Sequence, residues 1–200
     1  MERGRGIDST EKNLLDTLKS LYRKMDSAWE EAASIYGFQC SGCSENCCET
    51  QFYHHTFIER AYLLYGLSRL PSPAVVKALK RGELVNKKIK LASKRGESIR
   101  IMCPLNLDEK CIIYPFRPMI CRLHGIPHEL HPPGGGPRGT MIRPGCGAGS
   151  SFFEKGYHTF DRTPFYSEMA VLETEYIRFK FKGRPGKIKQ TVSEMIVAGS

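Results

Sequence analysis

Apolar residues recur at steps of three and four over residues 9–36: Leu14, Leu18, Leu21, Met25, Ala28, Ala32 and Tyr36, with Leu15, Tyr22 and Trp29 widening the stripe. That spacing predicts one long amphipathic helix. Asp8 with Glu11 predicts a capping box at its start, and Gly37 a stop. Residues 51–55 form a short extended candidate. Thr56 with Glu59 predicts a second capping box, opening a helix to about Leu70 through Ile58, Ala61, Tyr62, Leu64 and Tyr65. Pro71-Ser72-Pro73 breaks this helix and starts a third, with Ser72 as N-cap and Pro73 at the first helical position. Gly82 is a candidate break in the third helix and Gly96 its end.

Residues 99–125 read as short elements: a strand at Cys111-Ile-Ile-Tyr114, then a helical turn from Pro118 through Cys121 to Leu123. Turn formers fill residues 131–139. Thr163 and Pro164 open a late helix with Phe165, Met169, Leu172, Tyr176 and Phe179 on one face, and Gly183-Arg-Pro-Gly186 ends it. Thr191 with Glu194 predicts the cap of a short terminal helix. The expected fold is mainly α: a single domain over residues 1–200, with an N-terminal helix at about 9–36, a cysteine core at about 38–150 and a C-terminal helical region at about 163–198.

Length and charge refine this picture. A chain of 200 residues buries roughly 70% of its unfolded surface, enough for a core without metal staples. No apolar run reaches the ~18 residues of a membrane span. Residues 1–10 lack an apolar stretch, which predicts no secretory signal and a cytoplasmic location. The net charge of +9 is concentrated. Residues 77–100 carry Lys77, Lys80, Arg81, Lys87, Lys88, Lys90, Lys94, Arg95 and Arg100 against Glu83 and Glu97, and residues 178–189 carry six more basic residues and no acid. Such runs attract nucleic-acid phosphates or an acidic protein partner, or else form a solvated helix face. Neither run interleaves aromatics as a base-stacking platform would.

The chemistry lies in the eight cysteines. Cys40, Cys43, Cys47 and Cys48 fall within nine residues; Cys103, Cys111, Cys121 and Cys146 follow across the middle of the chain. In a reducing compartment such a set points to metal ligands or redox groups rather than a disulfide framework. Cys40-Ser-Gly-Cys43 has the spacing of a thiolate knuckle. Cys47 and Cys48 point apart, so one of them is expected as a ligand and the other beside it. One Cys-x-x-Cys knuckle with scattered further cysteines suits an iron–sulfur cluster, such as [4Fe–4S], better than Zn²⁺, which more often takes two knuckles. Arg117 and Arg122 flank Cys121, where they could offset the negative charge of a thiolate centre and donate hydrogen bonds to sulfur; the alternative pairs them with Asp108 or Glu109. Tyr114 reads as a core residue with a bonded hydroxyl. The glycines around Cys146 suggest close approach of backbone N–H groups to a bound sulfur. His54, His55 and His124 read as ordinary residues, and the Gly-rich loop lacks a P-loop ending.

Cys40-x2-Cys43-x3-Cys47-Cys48, Cys103-Pro104 and Cys111-x2-Tyr114-x2-Arg117-Pro118-x2-Cys121-Arg122 occur in that order. Together they resemble the CxxCxxCC or YkgJ-like cysteine-cluster family, described as a putative zinc- or iron-chelating domain and including flagellin lysine N-methylases. Two features depart from its pattern: three residues instead of two before the Cys-Cys pair, and a long spacer over residues 49–102. The resemblance implies metal binding by the cysteines. A metal centre of this kind could serve electron transfer, protein modification or sensing; by analogy alone the resemblance implies lysine N-methylation of a protein substrate. No S-adenosylmethionine motif accompanies it.

Overall fold

The computed structural model describes residues 8–40, 47–131, 139–154 and 156–199. The chain is mainly helical, with seven α-helices and two small antiparallel sheets among those residues. It forms two compact units, each built from two separated stretches: Met1–Glu45 with Arg122–Pro185, and Asn46–Cys121 with Gly186–Ser200.

In the first unit, α1 (Ser9–Tyr36) packs against α6 (Thr163–Lys180). The Asp8 carboxylate accepts from the Thr10 and Glu11 amides, and Gly37 closes α1 in the left-handed conformation at φ 66°. Leu15, Leu18, Leu21, Tyr22 and Met25 of α1 are buried, as are Met169, Leu172 and Tyr176 of α6. Phe165 and Phe179 of the expected α6 face are only half-buried. Glu11 accepts from the Tyr176 hydroxyl at 2.9 Å and from Lys180 at 3.0 Å, and Lys24 meets Glu168 at 2.8 Å. Between the helices in sequence come α4 (Met119–Leu123), which spans the boundary of the units, a hairpin of β3 (His128–Leu130) and β4 (Met141–Arg143), and α5 (Ser150–Phe153). An aromatic cluster of Tyr36, Phe38, Phe152 and Phe153 closes the end of α1 in edge-to-face pairs.

In the second unit, α2 (Phe57–Ser68) and α3 (Ser72–Lys94) pack against α7 (Val192–Ala198). The core gathers Leu63, Leu67, Ala78, Leu105, Ile113, Met195 and Ile196. The expected capping box of α7 forms in full between Thr191 and Glu194. The one expected at α2 does not. Glu59 is drawn into the interior (4% exposed), where it accepts from the buried Met119 amide at 2.8 Å and from the Thr56 hydroxyl at 2.6 Å. Ser72 lies inside α3 and Pro71 precedes it without a side-chain cap. The helix also runs through Gly82 unbroken. A Cβ there would lie 3.0 Å from Val197 and 3.1 Å from Ile196, so the glycine lets α7 approach and is not a break.

The expected strand at 111–114 shortens to β2 (Lys110–Cys111), paired with β1 (Asn106–Leu107). Pro115, which has no amide to give a ladder, begins the chain's departure into a 3₁₀ turn at Tyr114–Phe116. Asp108 and Glu109 make the two-residue hairpin turn, with φ of 50° and 64°. Positive φ at both central residues is the geometry that lets a hairpin follow the twist of its strands. These acids serve as a turn, and none of the ion pairs among the described residues joins them to Arg117 or Arg122.

Candidate metal centre

Cys48, Cys103, Cys111 and Cys121 all belong to the second unit, and backbone hydrogen bonds explain how their segments meet. Cys47–Glu49 is a 3₁₀ turn. The Cys103 amide donates to the Cys48 carbonyl at 2.8 Å and the Ile101 amide to Glu49 at 3.1 Å, which zips residues 48–49 to 101–103. The Asn106 amide then turns back to the Cys103 carbonyl at 3.0 Å, and β1–β2 pairing sets Cys111 opposite Asn106. Cys121 follows on α4, whose first turn is fixed by its amide bonding to Pro118 and by the Glu59–Met119 bond. Cys103 and Cys111 also pack against the core of the unit.

The thiols sense one another. Burial pushes Cys103 up to about 12, and the nearby Cys111 and Cys48 add to the rise. Cys121 is raised further, first by burial and then by Cys103, Cys111 and Cys48, with Arg117 opposing. Cys48 differs: a hydrogen bond from Cys47 and a weaker one from Asn106 bring it down to about 6, helped by Arg117. The group therefore sets one thiol whose ionisation is eased beside two whose ionisation is opposed. The electropositive neighbour of the group is Arg117. The Arg117 guanidinium lies 3.8 Å from the centre of the Tyr114 ring. Tyr114 is not a core residue as the sequence suggests. It is 57% exposed, because the 3₁₀ turn buries Ile113 and sends the tyrosine outward.

The remaining expected residues fall elsewhere. Cys40 is exposed and Cys146 half-buried, both in the first unit, and Cys43 lies outside the described residues. Cys47 sits against Cys48. All seven described cysteines are thiols. Arg122 follows Cys121 in sequence, yet its buried guanidinium meets Asp26 at 2.5 Å and stacks on Tyr22 at 4.1 Å. Adjacent helical residues point about 100° apart, which accounts for the divergence. The glycines around Cys146 have another cause too: a Cβ on Gly149 would come within 2.5 Å of Phe153, and one on Gly145 within 2.6 Å of the Gly125 carbonyl. Asn106, buried at 6%, was not singled out by the sequence. Its signal is a lone amide between two leucines directly after Cys-Pro.

As these side chains stand, no three His, Cys, Asp or Glu groups among the described residues are gathered tightly enough to hold a metal ion. No protein family, curated protein or solved structure matches the chain.

Proposed function

We propose that the second unit is a metal-binding module in which Cys48, Cys103, Cys111 and Cys121 hold an iron–sulfur cluster, with Zn²⁺ as the alternative occupant. The observation that carries this reading is the backbone register, which draws cysteines from three separated stretches into one neighbourhood beside Arg117. The donor set is all sulfur, which selects iron–sulfur clusters and zinc over hard cations. The motifs that resemble the cysteine-cluster family include these four residues among others, and thiols of this kind suit a reducing, cytoplasmic setting. A bound cluster would supply one-electron redox chemistry or a structural clamp. Arg117 would offset the charge of the thiolates, and Asn106 and Cys47 would fix Cys48.

The test is an absorption spectrum with iron, sulfide and zinc analysis on protein purified without oxygen and without a metal-binding tag. The expected result is a brown protein with stoichiometric iron and sulfide, lost in Cys103→Ser, Cys111→Ser and Cys121→Ser. Colourless protein with tightly held zinc, lost in the same variants, selects the alternative occupant. Folded protein holding neither metal rejects both.

A further inference from the structure

We propose that the outer face of α3 is a docking seam for an acidic, amphipathic helix of a partner protein. The inference is independent of what the cysteines bind. The inner side of α3 is accounted for: Ala78, Gly82, Val85 and Ala92 are buried, with Gly82 against α7. On the opposite side Lys80, Leu84, Lys87, Leu91 and Lys94 follow at alternating steps of four and three residues, all exposed. Leu84 and Leu91 keep 57% and 52% of their surface in solvent, and Val76 extends the row at 50%. A seven-residue repeat drifts only ~20° per two turns, so the row stays on one side of the helix for about 21 Å.

The alternation decides the occupant. A merely solvated face has no use for two half-exposed leucines set seven residues apart within a row of lysines. A membrane surface asks for a broad apolar face with its cations at the margins, whereas here the lysines stand inside the row. Phosphate backbones would engage the lysines and leave the leucines unused. A second copy applying the same face would set lysine against lysine. A partner helix with apolar residues every seven positions and acids beside them satisfies both halves of the pattern, as paired seams and flanking charges do in coiled coils. Glu83 is the one acid of α3, so the charge of the seam is nearly uniform.

Binding is measured by fluorescence anisotropy with the full chain and a labelled helical peptide of about three heptads, carrying leucines every seven residues and glutamates beside them. Controls are a scrambled peptide of the same composition, a DNA duplex and phosphatidylserine vesicles. The expected result is salt-sensitive binding of the ordered peptide, weakened by about tenfold or more both by Leu84→Ser with Leu91→Ser and by Lys80→Gln, Lys87→Gln and Lys94→Gln. The exposed pair Lys182→Gln and Lys187→Gln should leave it unchanged. All of these positions are exposed, and circular dichroism checks that each variant keeps its fold. The proposal is overturned if the scrambled peptide binds equally, if the Lys182 and Lys187 changes weaken binding as much, if DNA or vesicles bind through the lysines without dependence on the leucines, or if the ordered peptide does not bind at low salt.

Discussion

Gly66→Ala sets two opposing effects against each other at the point where α2 meets the turn that leads to Cys121. In an open helix interior the change would stabilise by about 1 kcal/mol through helix propensity. Here a Cβ at position 66 would lie 2.6 Å from Phe116 Cβ and closer still to the ring carbon next to it, against an ordinary carbon–carbon separation of ~3.5–4.0 Å. The obstacle includes the root of a side chain already held by Tyr62 and Tyr65, with ring centroids at 5.0 and 5.8 Å. Overpacking of this kind costs ~1–3 kcal/mol, and contact with a Cβ favours the upper end. The net expectation is a loss of about 2 kcal/mol, or a fall of about 4–8 °C in Tm for a chain of this size. Gly82→Ala is the control. The nearest atoms there, 3.0–3.3 Å away, are the tips of Val197 and Ile196, which can yield, so its cost should be smaller than that of Gly66→Ala. Urea and thermal unfolding followed by circular dichroism would measure both, and Phe116→Leu in the Gly66→Ala background should recover part of the loss. A Gly66→Ala protein as stable as its parent would refute the packing argument.

Glu59→Ala leaves the buried Met119 amide without its acceptor and should cost about 1–3 kcal/mol in urea unfolding, while Glu59→Gln keeps an acceptor and should cost less; equal losses would show that the charge, not the acceptor, matters. Burial and then Arg162 hold His128 down from 6.5 to about 4. The unfolded chain therefore takes up that proton first, and this contribution to stability is complete above pH 6.5 and lost as pH falls toward 4. His128→Gln should flatten the dependence of Tm on pH across that window, and an unchanged slope would assign the acid sensitivity to another group. If the proposed centre is loaded, removing its metal should raise amide hydrogen exchange most in residues 47–50 and 101–121; equal protection in both forms would argue against a structural role for the metal.

Features set by neighbouring residues were open to sequence reasoning. The α1 stripe, the Asp8 cap, the Gly37 stop and the Thr191–Glu194 box all follow from interactions within one or two turns, and the structure contains each. The errors arise where a distant segment supplies the stronger partner. Thr56-x-x-Glu59 has the form of a capping box, but the Met119 amide captures the carboxylate. Arg122 stands next to Cys121 in sequence and turns to Asp26. Gly82 looks like a break until Val197 is seen beside it. For the candidate site, the cysteine spacing identified the residue type. It could not divide the seven described cysteines between two units, because that division depends on the hydrogen bond from Cys103 to Cys48 and on the two-residue β1–β2 hairpin.

The way each unit is assembled from two distant stretches has a consequence during synthesis. Met195 and Ile196, both fully buried, fill the core formed by α2, α3 and the β1–β2 hairpin, yet they leave the ribosome some seventy residues after Cys121. Until then Leu63, Leu67 and Ala78 lack the surface that α7 provides, and the thiols around Cys103 lie in a region that has not closed. Contacts so distant in sequence carry a loop-closure cost and slow folding. The nascent chain thus exposes thiols and an apolar surface together, at the stage when aggregation competes most directly with folding. Substitutions in residues 191–198 should accordingly lower the yield of folded protein out of proportion to the length of the segment.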